Sequence, residues 1–212
     1  MLRKTLMSML FVFCGFAATA EQVVIAALGD SLTQGYGLPE QDGFVPQLDR
    51  WLKEQGADVN LINAGVSGDT TAGGAARVAW TLTPDVDGLI VSLGGNDLLR
   101  GIDPAVARAN IEAIVKTAAE SDVDVLLVGL QAPGNYGADY KTAFDAIYPD
   151  LAELYQTGYA PSFFTGLSAE NDPEAVRTFM QPDGIHPNAE GVARIVENLG
   201  PLVLDLVAVA GQ

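Results

Sequence analysis

The sequence predicts an α/β domain of three layers, α/β/α, built on a five-stranded parallel sheet. Two observations carry that expectation. Short runs of continuous apolar residues alternate with longer stretches of helical periodicity. A strand apolar on both faces needs cover on both faces, and parallel sheets have it because their crossovers are helices. The second observation is where the polar clusters fall. Groups rich in Gly, Asn, Ser and His follow the apolar runs, at the carboxyl ends where open α/β sheets bind ligands.

The elements can be taken in order. Residues 23–27 are the first expected strand, with Gly29 close behind. Residues 44–55 have helical spacing, with Phe44, Leu48, Trp51 and Leu52 on one side and Gly56 as the stop. Residues 59–63 are a second strand. Residues 70–80 read as a helix that Gly73-Gly74 weakens. Residues 87–93 contain Leu89-Ile90-Val91, a third strand that ends before Gly94-Gly95. Residues 104–120 are a helix capped by Asp103, with Pro104 in its first turn. Residues 125–130 are a fourth strand. Residues 139–156 are helical, with Pro149 expected to kink or divide them. Residues 160–164 are a shorter fifth strand despite Pro161. Residues 189–208 are a C-terminal helix expected to break near Gly200-Pro201. Right-handed crossovers leave few doubly wound orders for such a chain, and a flavodoxin-like order is expected.

Composition sets bounds. A chain of 212 residues, 49% hydrophobic and 18% charged, suits one domain with a full core. The N-terminus reads as a secretory signal peptide: basic Arg3-Lys4, an apolar stretch 6–17, then Ala18-Thr19-Ala20 as a small-x-small cleavage site. The apolar stretch is short for a membrane anchor. Cleavage after Ala20 leaves residues 21–212 as a single domain and removes Cys14, the only cysteine. That excludes a disulfide, a thiol nucleophile and a thiolate metal site from the mature chain. Net charge is −16, and loss of Arg3 and Lys4 makes it −18. Such a surface repels nucleic acid and anionic lipid. No nucleic-acid partner and no stable membrane insertion are expected.

The chemistry-bearing residues are few. The single histidine, His186, lies in Asp183-Gly184-Ile185-His186, and Ser31 lies in Gly29-Asp30-Ser31-Leu32 after the first strand. Serine, histidine and aspartate are the parts of a nucleophilic hydrolase, in which the histidine takes the serine proton and the aspartate fixes the imidazole. The competing readings are a helix cap for Ser31 and an Asx turn for Asp183. Acyl transfer also needs donors aimed at an oxyanion. The backbone N–H of Gly65, the Asn96 side chain and the Ser31 N–H are the candidates, with ordinary turn chemistry as the alternative for the glycine and asparagine. Asp85-Val86-Asp87 and Asp122-Val123-Asp124 lack calcium-loop spacing. One histidine without cysteines argues against zinc. No nucleotide-binding motif is present, so no metal and no cofactor are expected.

Together these segments resemble the SGNH (GDSL) hydrolase superfamily. Four blocks stand in its order: Gly29-Asp30-Ser31-Leu32, Gly65, Gly94-Gly95-Asn96-Asp97 and Asp183-Gly184-Ile185-His186. The stretch from Asn63 to Gly74, Pro133-Gly134-Asn135-Tyr136-Gly137 and Ala146-Ile147-Tyr148-Pro149 are similar to the multifunctional acyl-CoA thioesterase I/lysophospholipase L1/arylesterase group. The resemblance spans essentially all of the mature chain. It implies Ser31 as nucleophile, His186 as base and then acid, Asp183 as its partner, and Gly65 and Asn96 as the oxyanion hole. It also implies an acyl pocket bordered by Leu98, Leu99, Ala132, Pro133 and Ile185, and a periplasmic location. The stretch 162–177 has no clear counterpart and is expected to shape the pocket rim. The implied substrate is a small ester or thioester. A carbohydrate O-acetyl esterase of the same superfamily and a non-catalytic binding protein are the competing functions. The sequence sets no oligomeric state.

Overall fold

The computed structural model describes residues 22–167 and 176–212; the expected signal segment, residues 1–20, lies outside them. Five parallel strands form one sheet: β1 (Val23–Gly29), β2 (Val59–Gly65), β3 (Gly88–Ser92), β4 (Asp124–Val128) and β5 (Gly158–Ala160). Their order is β2-β1-β3-β4-β5, the expected doubly wound arrangement. The order reverses between β1 and β3, so the crossovers leave in opposite directions and open a crevice there. The register Gly29↔Gly65 and Gly29↔Ser92 brings the carboxyl ends of β1, β2 and β3 level. That alignment positions the polar clusters together.

The helices are α1 (Ser31–Gln34), α2 (Phe44–Glu54), α3 (Thr71–Thr81), α4 (Gly95–Arg100), α5 (Pro104–Glu120), α6 (Ala138–Asp145), α7 (Ile147–Tyr155) and α8 (Ala189–Ala210). The pair α2 and α8 packs as one layer, and α3, α5, α6 and α7 pack as the other. Between them Ile25, Leu28, Leu89, Val91 and Leu127 are wholly buried. The start of α5 is as its sequence implies: Asp103 accepts the Ala105 N–H at 2.9 Å, and Pro104 fills the first turn. Among the described residues no helix is long and apolar enough to cross a membrane.

Three proline positions test the local reading. Pro149 divides the helix, as expected. It has no N–H to close on the Asp145 carbonyl and its ring crowds that oxygen, so the break falls at Ala146 and Pro149 enters the first turn of α7. The fifth strand is displaced: it is Gly158–Ala160, not 160–164. Pro161 cannot donate to the ladder, and the chain turns after it, with the Phe164 N–H donating to Ser162 Oγ at 3.1 Å. Phe163 is buried for another reason, its ring lying 5.1 Å from that of Phe44. The third position concerns α8, which runs unbroken through Gly200-Pro201. Buried Leu199, Val203 and Leu206 hold both halves against the sheet, and Pro201 sits on the exposed side.

Gly200 has a packing role in this layer. A Cβ there would lie 2.6 Å from the Trp51 indole of α2. Overpacking of that kind costs about 1–3 kcal/mol. Gly200→Val should therefore lower the midpoint of urea unfolding with the m-value unchanged. An unaltered midpoint would mean that α2 and α8 are not docked this closely.

Candidate active site

The site starts where β1 ends. Asp30 caps α1, its Oδ1 accepting the Leu32 N–H at 3.0 Å. Ser31 is the first residue of that single turn and is half-buried at the carboxyl edge of the sheet. The first N–H groups of a helix have no intrahelical acceptor, so the Ser31 N–H is of the kind an anion can use.

His186 arrives 155 residues later on a strap before α8. Asp183 Oδ1 accepts the backbone N–H groups of Ile185 (2.9 Å) and His186 (3.0 Å). Gly184, with φ +68°, makes this turn without the strain a side chain would bring. Gln181 anchors the strap: its N–H donates to the His186 carbonyl at 2.7 Å, and Nε2 donates to the carbonyls of Tyr36 (2.8 Å) and Pro187 (3.0 Å). The Tyr36 ring lies 4.7 Å from the imidazole. His186 is thus held from several directions.

The polar line is continuous. Asp183 Oδ2 is 2.7 Å from His186 Nδ1, and His186 Nε2 is 2.8 Å from Ser31 Oγ. The hydrogen bond from His186, followed by the backbone N–H groups of His186 and Ile185, lowers the Asp183 carboxyl to about 2. An ionised Asp183 favours the tautomer with its proton on Nδ1, which leaves Nε2 to accept from Ser31. The arrangement can therefore move a proton off a serine hydroxyl.

The other predicted residues divide into those at the cleft and those behind it. Gly65 ends β2, and a Cβ there would run into the Gln34 backbone of α1, so only glycine permits the approach. Its N–H donates to Asn63 Oδ1 at 3.0 Å, and Gly65 is not among the groups lining the cleft. Asn96 does line it. The Asn96 Nδ2 group donates to the Asp69 carbonyl at 2.9 Å and lies 3.4 Å from Asp30 Oδ2.

A cavity of ≈ 1010 Å³ opens over Ser31 and His186. Leu98, Leu99, Pro133 and Ile185 line it. Ala132 does not. It is 2% exposed, its N–H donates to Asp145 and its carbonyl accepts from Lys141, both at 2.7 Å, which pins it against α6. Of the 162–177 stretch, residues 168–175 lie outside the described residues; Phe164, Leu167 and Val176 line the cavity, as does Met180. Sequence reasoning gave no task to Asp30, Tyr36 or Gln181. Asp30 had a signal, its place beside Ser31; the other two depend on the 145-residue link between strap and α1 loop.

Among the described residues no cluster of His, Cys, Asp or Glu is arranged to hold a metal ion. Asp87 of the first acidic pair accepts the Val24 N–H at 2.8 Å, a task in joining strands.

The geometry has counterparts in known proteins. The model of the GDSL-like Lipase/Acylhydrolase family matches residues 27–194. The chain is 37% identical to the esterase TesA of Pseudomonas aeruginosa over 90% of its own length and 91% of that protein's. It is 36% identical to an arylesterase of Vibrio mimicus, covering 91% and 94% of the two chains. Among solved structures it resembles AlinE4, an SGNH-hydrolase family esterase, with a TM-score of 0.72 and 40% identity over 89% of this chain and 98% of that one. A serine-bearing turn after β1, a histidine strap before α8 and this extent of likeness agree: the chain belongs to the GDSL-like lipase/acylhydrolase family of SGNH hydrolases.

Proposed function

We propose that this chain is an exported serine ester hydrolase that cleaves carboxylic esters and thioesters through an acyl-enzyme. The observation that carries the reading is the unbroken line Asp183–His186–Ser31 opening on a largely apolar cleft. Ser31 Oγ attacks the acyl carbonyl as its proton passes to His186 Nε2. Ionised Asp183 stabilises the imidazolium. The tetrahedral oxyanion draws on the Ser31 N–H and the Asn96 amide, and on the Gly65 N–H once the Asn63 side chain turns away from it. His186 then returns the proton to the departing alcohol or thiol. Water, deprotonated by the same imidazole, attacks the acyl-serine and releases the acid. Every proton step uses side chains of this chain, and none calls for a cofactor. Export is inferred from residues 1–20, and a mature N-terminus at Glu21 is the expected mass-spectrometric result.

The substrate class is tested with p-nitrophenyl acetate, butyrate, octanoate and palmitate. Each buried methylene is worth up to about 0.8 kcal/mol. Walls such as Leu98, Leu99 and Phe164 should therefore make kcat/KM rise from acetate to octanoate. The palmitate chain should gain nothing further. A maximum at acetate, with release of acetate from acetylated sugars, would instead support the carbohydrate O-acetyl esterase reading.

A further inference from the structure

Asp30 is a buried carboxylate that the proton transfers above do not use. It is 2% exposed, and no cationic side chain is bonded to it. The groups facing it are the Leu32 N–H of its own helix, Asn96 and Asp97 of α4, Tyr148 of α7 and His186 of the strap. Burying an unpaired carboxylate is costly. Capping α1 does not require the charge, since asparagine caps as well as aspartate. The second carboxylate oxygen is the informative one. Asn96 Nδ2 carries two protons. The Asp69 carbonyl takes one at 2.9 Å, and Asp30 Oδ2 faces the other at 3.4 Å. A bond that long is weak.

We propose that Asp30 is a positioning residue for the reaction, with one oxygen setting the turn that carries Ser31 and the other aiming the Asn96 amide. The inference rests on the reading of Ser31 and His186 given above.

A pH dependence follows. Burial raises Asp30 to about 6, and Asp97 pushes the same way; the Leu32 N–H, His186 and Asn96 oppose it. Once protonated, Asp30 offers Asn96 a hydroxyl in place of a charged acceptor. Protonation of Asp30 then loosens its hold on Asn96 and lowers activity in acid. The stability effect has the opposite sense. The folded value lies above the ordinary 3.8, so the folded state binds more protons in between. Stability from this group is full below about 4 and is lost as pH rises through about 6.

The experiment compares kcat, KM and melting temperature against pH for the mature chain, Asp30→Asn, Asn96→Ala and the double variant, with Ser31→Ala alongside. Asp30→Asn keeps the cap. It should lower kcat about tenfold at unchanged KM, a fraction of the roughly 10²–10³ lost with a whole oxyanion donor. Its kcat should lack the fall that protonation of Asp30 brings to the wild type as pH drops through about 6, and it should melt higher than the wild type at pH 8. In the Asn96→Ala background the same substitution should cost nothing more in kcat. An unaltered kcat and pH profile in Asp30→Asn, with Ser31→Ala inactive, would overturn the positioning role and leave the nucleophile intact. A loss undiminished in the Asn96→Ala background would overturn it too. Hydrolysis surviving in Ser31→Ala would instead defeat the reading on which it rests.

Discussion

Ser31→Ala should lower kcat for a p-nitrophenyl ester by about 10⁶, the scale on which removal of a triad serine acts. A residual acceleration of roughly 10³–10⁴ over water should remain, from the oxyanion donors and binding alone. The loss is expected to be this large because no substitute is at hand. The hydroxyl sits 2.8 Å from the only histidine in the chain, and the only cysteine, Cys14, lies in the segment expected to be cleaved. The fold should survive. Ser31 is half-buried, its Oγ bonds to His186, and the cap on α1 belongs to Asp30. An unchanged circular dichroism melt beside lost turnover would separate chemistry from stability. Turnover within tenfold of wild type would mean that hydrolysis happens elsewhere on the molecule.

Asp183→Asn should cost about 10⁴ in kcat with little change in KM. The variant retains an oxygen for the backbone N–H groups of Ile185 and His186, so the turn through Gly184 should persist. What it loses is the tautomer. An asparagine NH₂ facing Nδ1 donates to it and drives the imidazole proton to Nε2, where it blocks acceptance from Ser31. The wild-type carboxyl is held near 2 by the His186 hydrogen bond, so it is ionised wherever the enzyme works. Its folded value lies below the ordinary 3.8. Its stabilising contribution is thus present above about 4 and lost as pH falls through about 2. Asp183 therefore adds nothing to an acid limb near pH 6. A variant retaining a tenth of wild-type kcat would show that the imidazole is oriented by Tyr36 and the strap instead.

Most of the architecture was legible because it rests on local patterns. Apolar runs marked β1, β3 and β4, the Asp103-Pro104 pair marked the start of α5, and Pro149 marked the division of α6 from α7. The failures share a cause: a local signal was overridden by distant packing. Phe163 looked like strand because it is apolar, but it is buried against Phe44, 119 positions earlier in the chain. Gly200-Pro201 looked like a helix end, but Trp51 and three buried side chains of α8 hold the helix through it.

The site divides in the same way. Ser31, Asp183 and His186 sit in short motifs whose residue types announce their chemistry, and the fold brings them within hydrogen-bonding distance. The burial of Ala132 could not be read because neither its type nor its neighbours reveal its Lys141 and Asp145 contacts. The state of the Gly65 N–H could not be read either, since it depends on the rotamer of Asn63. The cleft-lining Phe164, Leu167, Val176 and Met180 carry no motif, because apolar walls need only shape and burial.

The most direct measurement is intact-mass and peptide mass spectrometry of the mature chain after exposure to an organophosphonate ester, a reagent that phosphonylates an activated serine. The wild type should gain one phosphonyl group, on the peptide containing Ser31, as esterase activity falls in proportion; Ser31→Ala should gain none. Inactivation with the group on another residue, or full labelling of Ser31→Ala, would contradict Ser31 as the nucleophile.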